Sequence, residues 1–452
     1  MKTHLLGKVM VANRAAVAHR VIRALRELGI KSVAIYSEAD RDLPYWKEAD
    51  EAYLVGPAAA QASYLNIGAI LDIAHKSGSD AIHPGYGFLA ESPEFAERVR
   101  TAGMVFIGPG AELIRELGHK SRARALMARH GMPMARSSDV LATLDEARAA
   151  IEDIGYPALL KPAGGGGGIG MVPIRCEQDI EKSWQQASTL AQRFFSQPDL
   201  YLEQLIEAPR HIEFQFLADR YGNVRCIFER DCSTQRRHQK VIEEAPAPAL
   251  GRSVLDAMAR RLEKILSALR YDVIGTVEML YTPQSGFVFL EVNTRLQVEH
   301  AVTETVTGID LVHAQVRLAA GSRLNEVLPD DIALNGHAIE ARVYAEDPQR
   351  FIPSPGMLTV FDPPRLKDVR IETGYCSGVR VSSHYDPMLA KVIARGADRK
   401  AAIDTLTHAL ENFKIEGVKN NIAFIQQVLS HPAFIQGEVS TDMTNQILRK
   451  PS

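Results

Sequence analysis

Two glutamates that oppose each other across a predicted hairpin are the first residues with an evident chemical use. Residues 276–281 and 288–293 are apolar strand-like runs on either side of a short turn, and the simplest register about that turn opposes Glu278 to Glu291. Asn293, two residues further on, points to the same face. Like charges opposite one another destabilise a sheet, and Mg²⁺, which takes carboxylates together with substrate phosphates, removes that penalty. A metal site is therefore preferred over the alternative that one glutamate pairs with a lysine or an arginine.

A run of five glycines, residues 164–168, is the strongest single signal in the chain. Such a run costs backbone entropy, but it lets backbone N–H groups approach an anion closely. It is not a Walker A loop, because no Gly-Lys-Ser/Thr follows, and residues 171–175 are typical of a strand rather than of the helix in a dinucleotide fingerprint. The pattern predicts a hairpin over nucleotide phosphates with Lys161 beside them as a point charge. A flexible surface loop is the alternative.

Chargeable side chains follow the glutamate hairpin directly. Arg295 and Glu299 are four residues apart and would share a face if the segment were helical. Beside a metal, Arg295 could hold a small anion while Glu299 acts as a general base; alone, the run would be a helix start with one surface ion pair. A second run, residues 229–244, is basic in its middle. Its flanking acids and its lack of aromatic residues favour a small-anion pocket over a nucleic-acid patch.

The composition excludes several classes of function. Of 452 residues, 46% are hydrophobic and 24% are charged, and 52 Lys plus Arg against 55 Asp plus Glu leave a net charge of −3. This balance gives little reason to expect nucleic acid or an anionic membrane as a partner. No apolar run approaches the ~18 residues of a membrane span, and the N-terminus lacks a secretory pattern. The four cysteines form no CxxC pair, so we expect reduced thiols in a cytoplasmic protein.

The elements that must position these residues fall into three segments, as a prior of roughly 150 residues per domain suggests. Residues 1–118 alternate strands and helices, which predicts a doubly wound parallel sheet. Asn13 is the expected N-cap of its first helix, and the lack of GxGxxG there disfavours a dinucleotide site. Residues 119–335 mix helices with short strands. The remainder has strands with frequent turns and then two helices.

Five motifs in this order resemble biotin carboxylase, an ATP-grasp enzyme. They are HPGYGFL (residues 83–89), KPAGGGGGIGM (161–171), ERDCSTQRRHQKVIEEAPAP (229–248), EVNTRLQVEH (291–300) and HAIEARVYAED (337–347). The similarity covers at least residues 8–413. It implies an α/β and α+β protein with a Rossmann-like N-terminal domain, a central ATP-grasp domain and a C-terminal barrel-sandwich domain. The implied ranges are 1–118, 119–335 (with a lid subdomain at about 134–206) and 336–448.

The resemblance also implies a reaction and a role for each candidate residue. ATP and bicarbonate would form carboxyphosphate, which yields CO₂ to carboxylate N1 of biotin. The catalytic residues would be Arg295 in the bicarbonate pocket, Glu299 as the base that deprotonates bicarbonate, Lys240 supporting carboxyphosphate and Arg342 stabilising the biotin enolate. The residues that bind ATP or bicarbonate would be Lys120, Lys161, Gly165, Gly166, Gly167, Gly168, Glu203, His211, Gln235, His238, Gln297 and Val298. The ligands of Mg²⁺ or Mn²⁺ would be Glu278, Glu291 and Asn293. Taken singly, His211 and Gln235 could also be ordinary strand residues.

The chain lacks the Ala/Val-Met-Lys-Met motif for biotin attachment, since its only Met-Lys is at residues 1–2. The implied substrate is therefore biotin on a separate carboxyl carrier protein. A carboxyltransferase subunit would complete an acetyl-CoA or other acyl-CoA carboxylase, and the resemblance also implies a homodimer. Neither a nucleic acid nor a membrane is expected as a partner.

Two departures from the family pattern lie near the expected nucleotide. Ile169 stands where the glycine lid usually carries Arg or Lys, and Gln204 stands where Lys commonly follows the glutamate at Glu203. Each removes a cation, and Ile169 also resembles the urea carboxylase branch. A urea, pyruvate or other carboxylase therefore stays open, as do a different ATP-grasp ligase and a non-catalytic nucleotide-binding subunit. The pair Arg295 and Glu299 disfavours the ligase, and the intact metal set opposes the non-catalytic subunit.

Overall fold

The structure is a computed structural model that describes residues 6–162, 170–195, 199–237 and 239–448. Within those ranges, no helix is long and apolar enough to cross a membrane. Several residues of interest lie outside the described residues, namely Gly165, Gly166, Gly167, Gly168, Ile169 and His238.

The first segment is a parallel sheet flanked by helices, as the alternation of strands and helices predicts. Its strands are β1 (Lys8–Val11), β2 (Lys31–Ser37), β3 (Glu51–Gly56), β4 (Ala81–His83) and β5 (Val105–Phe106). Its helices are α1 (Ala15–Glu27), α2 (Ile67–Ser77), α3 (Pro93–Thr101) and α4 (Ala111–Leu117), with short 3₁₀ turns at Glu38–Asp40, Tyr45–Glu48 and Ala60–Ala62. The order is β3-β2-β1-β4-β5. Val9, Met10 and Val11 are completely buried, which is the continuous apolar pattern of a strand covered on both faces.

The prediction that Asn13 caps the first helix is wrong. Helix α1 has Arg14 as its N-cap residue, without a side-chain capping bond. The Asn13 amide instead donates to the carbonyl oxygens of Pro84 (2.7 Å) and Tyr86 (2.9 Å). Strands β1 and β4 are parallel neighbours, so their carboxyl ends lie side by side, and Asn13 ties the loop after one strand to the loop after the other.

The prediction that a strand lies on each side of the glycine run is confirmed, and the two strands are paired. This part of the chain contains α5 (Lys120–Arg129), α6 (Leu144–Ile154), β6 (Ala158–Pro162), β7 (Val172–Ile174), a 3₁₀ turn (Glu177–Asp179), α7 (Ile180–Phe195) and β8 (Leu200–Gln204). Strands β6 and β7 are antiparallel, with Leu160 opposite Val172. The three strands form their own sheet in the order β7-β6-β8. This sheet and the helices α6 and α7 enclose a separate small hydrophobic core.

The rest of the central segment and the C-terminal segment supply the remaining elements. The first group is β9 (Arg210–Ala218), β10 (Val224–Arg236), β11 (Gln239–Ala245), α8 (Arg252–Ala268), β12 (Val273–Thr282), β13 (Gly286–Asn293), α9 (His300–Thr307), α10 (Leu311–Ala319) and α11 (Leu324–Val327). The second group is β14 (His337–Tyr344), β15 (Gly356–Met357), β16 (Val360–Asp362), β17 (Val369–Thr373), β18 (Arg380–Val381), β19 (Met388–Gly396), α12 (Arg399–Glu411), β20 (Lys414–Glu416), α13 (Ile422–Leu429), α14 (Pro432–Gln436) and α15 (Met443–Leu448). Two small antiparallel pairs, β15 with β18 and β16 with β20, complete the C-terminal part.

Both groups join one large antiparallel sheet with the order β13-β12-β9-β10-β11-β14-β19-β17. Phe214 and Phe216 on β9 and Val277 on β12 belong to a core that includes Leu262 and Ile265 of α8. Gln215, Thr276 and Glu278, which neighbour these residues along the strands, are polar and also buried. Because successive side chains of a strand point to opposite faces, both faces of the sheet must be covered. The α/β and α+β class is thereby confirmed, and the C-terminal strands β14, β19 and β17 extend the central sheet.

A buried arginine ties the three segments together. The Nη2 of Arg20, on α1, donates to Glu304 Oε1 of α9 (3.0 Å) and to Asp310 Oδ2 (2.6 Å). Its Nε lies 3.6 Å from an oxygen of Glu372 on β17. Arg370 also contacts Glu304 and Glu372, so the carboxylates are shared by two guanidinium groups. Removing one partner of such a buried network leaves an uncompensated charge.

Replacing Gly275 with alanine should destabilise the large sheet. An added Cβ would lie 2.5 Å from Cζ of Phe216 and 2.6 Å from the hydroxyl of Tyr271, and both rings are fully buried. We expect a loss of about 1–3 kcal/mol, the usual cost of overpacking, measured as a lower urea midpoint. The control is Gly251→Ala, where the new Cβ meets nothing within 4 Å. Equal midpoints for the two variants would contradict the packing argument.

Candidate active site

The polar face of the large sheet carries three glutamates in one row. Glu278 on β12 is opposite Glu213 on β9 and opposite Glu291 on β13. Residues directly opposite in antiparallel strands have side chains on the same face. Glu213 is fully buried and Glu278 is 5% exposed, so solvent screens the charges of these two only weakly. The row therefore depends on cations close to it.

The predicted pairing of Glu278 with Glu291 is confirmed, although the hairpin reaches it through an irregular register. Near the turn, Tyr281 pairs with Phe287 and Met279 with Phe289, one residue short of the symmetric register. A bulge between Glu278 and Met279 restores the pairing. β-Bulges place one extra residue in a strand and re-aim the side chains beyond it. Here the bulge brings the two carboxylates to the same face.

Lys240 on β11 is the central cation of the site. Its Nζ donates to Glu213 Oε2 (2.6 Å), to Glu278 Oε1 (2.8 Å) and to Glu299 Oε1 (2.7 Å). Burial alone would lower the pKa of Lys240, but the neighbouring acidic groups hold it well above the usual value. The lysine is therefore protonated at neutral pH, and one ammonium group connects the glutamate row to Glu299.

Arg230 on β10 is the second cation of the row. This arginine is completely buried, and its Nε donates to Glu213 Oε1 at 2.5 Å. Its Nη1 donates to Gln215 (3.0 Å) and to Thr303 (2.8 Å). Glu213 thus has one oxygen on Arg230 and the other on Lys240, which leaves neither oxygen free.

Glu299 is held between two cations. Lys240 contacts one carboxylate oxygen, and Nη2 of Arg342 donates to the other at 3.0 Å. Burial alone would raise the pKa of Glu299, but Lys240, Arg342 and Arg230 hold it well below the usual value. Arg342 also lies 2.5 Å from Glu243 Oε1, and burial raises the pKa of Glu243 to about 7. Glu299 is ionised at neutral pH and shares Arg342 with a second, more readily protonated carboxyl.

The condition under which Arg295 and Glu299 would share a face, a helical segment, is not met. Residues 294–299 are not helical, and α9 begins only at His300. Arg295 donates through Nε to Glu91 Oε2 (2.9 Å) and through Nη1 to Gln297 Oε1 (2.6 Å). Glu91 belongs to the first segment of the chain. The loop therefore directs Arg295 toward the N-terminal segment and Glu299 toward Lys240.

The side chains expected to bind a metal lie together. Asn293 Nδ2 donates to Glu278 Oε1 (2.9 Å), and Nη2 of Arg295 donates to Asn293 Oδ1 (2.9 Å). Burial and the charge of Glu278 raise the pKa of Glu291, whose nearest cation is Lys120 at 3.5 Å. An all-oxygen donor set with incompletely balanced negative charge fits Mg²⁺ or Mn²⁺.

Two residues expected near adenosine lie beside this metal set. His211 Nε2 is 2.9 Å from Glu278 Oε2. Gln235 Nε2 is 2.7 Å from His211 Nδ1. Burial alone would raise the pKa of Glu278, but Lys240 and His211 hold it well below the usual value. The histidine and the glutamine are thus part of the polar network and are not isolated strand residues.

The remaining expected nucleotide contacts lie on the lid sheet. Lys161 Nζ donates to Glu203 Oε1 at 3.0 Å, and Arg124 of α5 lies 2.9 Å from the other Glu203 oxygen. Gln204, which stands in the place of a lysine, donates its backbone N–H to the Arg136 carbonyl. Arg124 therefore supplies a cation beside Glu203 that the sequence pattern did not predict.

Several residues of the network were missed by reasoning from the sequence. They are Glu91, Arg124, Glu213, Arg230 and Glu243. Glu213 had a usable signal, because it stands two residues after His211 and so faces the same way in a strand. The contact between Glu91 and Arg295 joins residues 204 positions apart, and no local pattern indicates such a pairing.

Comparisons with known proteins agree with this geometry. Residues 5–114 match the family described as "Biotin carboxylase, N-terminal domain", residues 119–327 match "Carbamoyl-phosphate synthase L chain, ATP binding domain", and residues 340–446 match "Biotin carboxylase C-terminal domain". The chain is 46% identical to Biotin carboxylase 2 of Bacillus subtilis over 442 residues, which are 98% of this chain and 99% of that protein.

Solved structures give the same result. A biotin carboxylase complex from Campylobacter jejuni superimposes with a TM-score of 0.93 at 40% identity, covering 98% of this chain and 99% of that one. The biotin carboxylase domain dimer of Hydrogenobacter thermophilus 2-oxoglutarate carboxylase, solved with MgADP, ADP and bicarbonate, superimposes with a TM-score of 0.92 at 40% identity, covering 99% of this chain and 100% of that one.

Changing Glu291 to glutamine should weaken divalent-cation binding. The substitution removes one of the two carboxylates in the expected donor set and leaves the size of the side chain unchanged. We expect at least about a tenfold loss of Mn²⁺ affinity in the presence of ADP, since even outer-shell changes cost this much at metal sites. Electron paramagnetic resonance of free Mn²⁺ measures it. The control is Glu411→Gln, an exposed glutamate on α12. Equal Mn²⁺ affinity in the two variants would show that Glu291 is not a ligand.

Proposed function

The chain belongs to the biotin carboxylase family, and we propose that it carboxylates biotin held on a separate carrier protein. It is an ATP-dependent enzyme whose substrates and cofactor are ATP, bicarbonate and Mg²⁺. The observation that carries the residue-level proposal is the position of Lys240, whose ammonium contacts both Glu278 of the metal set and Glu299. In this proposal, the phosphoryl group and bicarbonate would meet beside Lys240.

In the proposed bicarbonate pocket, Arg295, Gln297 and Val298 bind the anion and Glu299 takes its proton. With Lys240 and Arg342 both on Glu299, the depressed pKa of this carboxyl makes it a weak base. An anionic substrate competes for the same two cations. Each hydrogen bond withdrawn from Glu299 raises its pKa toward the range in which a general base is effective. Substrate binding would thereby activate the base.

The same cations serve the charge that develops later in the proposed reaction. Lys240 would support the carboxyphosphate, and Arg342 would stabilise the enolate oxygen of biotin. Both side chains are at least 87% buried, with exposed fractions of 13% and 11%, and hydrogen bonds to oxyanions are strong in such surroundings. Arg342 comes from β14, so the C-terminal segment supplies one of the catalytic residues.

On the nucleotide side, Lys120 and Lys161 would contact the ATP phosphates, with Gly165, Gly166, Gly167 and Gly168 as the lid. Glu203, His211, Gln235 and His238 would contact adenosine. Glu278, Glu291 and Asn293 would hold Mg²⁺ or Mn²⁺, which when bound neutralises and orients phosphate oxygens. The oxygen donors, the hydrogen bond between Asn293 and Glu278, and the incompletely balanced charge of Glu291 support this assignment.

We extend the proposal to domains and assembly. The family matches support domains at residues 1–118, 119–335 and 336–448, and the separate lid core supports a subdomain at about 134–206. Partners would be a biotin carboxyl carrier protein and a carboxyltransferase subunit, with acetyl-CoA as the first acyl acceptor to test. A biotin carboxylase domain dimer among the similar structures supports a homodimer. The four cysteines, which form no disulfide among the described residues, support a cytoplasmic location.

The test is ATP cleavage with free biotin as the acceptor. Phosphate release should require both bicarbonate and biotin. It should fall at least about 100-fold in Glu299→Gln, the range typical of losing a proton-transfer residue, and by a similar factor in Lys240→Ala, as the loss of an oxyanion donor causes. The controls are Lys414→Ala and Glu416→Gln, two exposed positions on β20. Phosphate release that ignores biotin while the protein binds ATP would refute the assignment.

Labelled bicarbonate separates the remaining alternatives. Label in biotin supports the proposal, whereas label in another acceptor, or ATP cleavage driven by a different carboxylate, would indicate another ATP-grasp ligase. Copurification with a carrier and a transferase, followed by assays with acetyl-CoA, pyruvate and urea, would then identify the final acceptor.

A further inference from the structure

Lys391 is a completely buried lysine in the middle of the C-terminal strands. On β19 it is directly opposite Arg342 of β14 on one side and Glu372 of β17 on the other. Its Nζ donates to the backbone carbonyl of Val298 at 2.5 Å and lies 2.7 Å from Glu372 Oε2. A lysine of the C-terminal segment thus reaches the loop that the proposed function assigns to bicarbonate.

Charge balance accounts for one contact of Lys391 and not for the other. Burial alone would raise the pKa of Glu372, but Lys391, together with Arg370, holds it well below the usual value, whereas the contact to Val298 compensates no charge. Glu372 already contacts Arg370 and lies 3.6 Å from Nε of Arg20. The other nearby carboxyl, Glu340, is 3.6 Å from Nζ of Lys391. Burial, offset in part by Lys391 and reinforced by Glu243, raises the pKa of Glu340 to about 8, so this group is mostly protonated at neutral pH. Burying an ammonium costs several kcal/mol, and a neutral side chain would avoid that cost.

The contact that distinguishes Lys391 is the one to Val298. Within the described part of the chain, no backbone N–H donates to the Val298 carbonyl. That carbonyl and the N–H of Glu299 belong to one planar peptide unit. A hydrogen bond that holds the Val298 oxygen therefore also holds the orientation of this peptide plane, and with it the position of the Glu299 Cα to which the side chain is attached. The adjacent residue on the other side is Gln297, which donates to Glu278.

We propose that Lys391 is a positioning residue for the bicarbonate site, which holds the peptide between Val298 and Glu299 in the orientation that the reaction requires. The proposal rests on the proposed function for the identity of the substrate. Lys391 contacts the backbone of Val298 in the proposed pocket and acts through the loop. Its loss should therefore impair bicarbonate use selectively and leave the nucleotide side unchanged, because Lys120 and Lys161 lie on other elements.

The experiment compares Lys391→Met, which removes the donor at similar length, with Lys391→Arg, which keeps a donor. The control is Arg395→Met, an exposed position on the same strand. In Lys391→Met, we expect kcat/KM for bicarbonate to fall about 10- to 100-fold, as a displacement of about 1 Å can cause. KM for ATP should stay within about twofold. A general loss of structure would instead impair the use of both substrates to a similar extent. Lys391→Arg should be intermediate, because its planar fork cannot reproduce the single contact.

Hydrogen–deuterium exchange of a peptide covering residues 294–299 supplies a readout that needs no turnover. Exchange should be faster in Lys391→Met than in the wild type and unchanged in Arg395→Met. Unchanged exchange and unchanged kcat/KM for bicarbonate in folded Lys391→Met would overturn the proposal, as would equal losses for bicarbonate and ATP. If Lys391→Met does not fold, the same measurements are made on Lys391→Arg. Wild-type exchange rates and wild-type kcat/KM for bicarbonate in Lys391→Arg would then contradict the proposal.

The two hypotheses fail in distinguishable ways. Wild-type ATP cleavage that ignores bicarbonate and biotin would refute the proposed function, and the exchange comparison would still show whether Lys391 holds the loop. Bicarbonate-dependent cleavage in the wild type with no selective effect in the variants would refute the role of Lys391 alone.

Discussion

Three glutamates on adjacent strands can point to the same buried face only if cations compensate them, and the site is arranged around this constraint. Side chains opposite one another in a sheet are about 5 Å apart, where two like charges repel by about 3 kcal/mol at an effective dielectric constant of about 20. Glu213 contacts both Arg230 and Lys240, although burial and the neighbouring Glu299 and Glu278 still raise its pKa. Among the described residues, Glu291, at the outer end of the row, contacts one cation, Lys120 at 3.5 Å. The end of the row with the fewest contacting cations is therefore the end where a divalent cation is expected.

The cations of the site come from separate parts of the chain, so the site is complete only when all segments are in place. Arg230 on β10 and Lys240 on β11 contact the glutamate row. Arg342 on β14 contacts Glu299, and Lys391 on β19 contacts the loop before it. These four strands are consecutive neighbours in the sheet. Arg295 reaches back to Glu91 in the first segment. A charged group whose partner failed to arrive would be left buried and unpaired, which costs several kcal/mol. The ionic network therefore favours the arrangement in which all segments are in place.

The parts of the site that follow a short-range rule could be predicted from the sequence. Strand alternation and a turn placed Glu278, Glu291 and Asn293 on one face, and the glycine run was correctly expected between two antiparallel strands. The errors arose where tertiary contacts override local preference. Asn13 has the residue type of a helix cap, but it bonds to a neighbouring loop. Residues 294–299 have helical spacing, but the partners of Arg295 and Glu299 lie in different directions. Contacts such as Arg20 with Glu304 have no local signature.

Glu299 is held by the same groups that the proposed reaction needs. Lys240 and Arg342 satisfy Glu299, and Arg342 is shared further with Glu243. These bonds hold the pKa of Glu299 well below its usual value, which makes it a weak base for the proposed reaction. Strong, preformed hydrogen bonds to an incoming oxyanion require the same donors, and a substrate can take them only in exchange for bonds to Glu299. In the proposed reaction, this exchange would replace one carboxylate acceptor by another anion, so the number of charge-assisted hydrogen bonds would be conserved while the basicity of Glu299 would increase. Because Lys240 and Arg342 would be shared between Glu299 and the substrate, substrate binding would itself activate the proposed base. This coupling requires no large movement of the sheet.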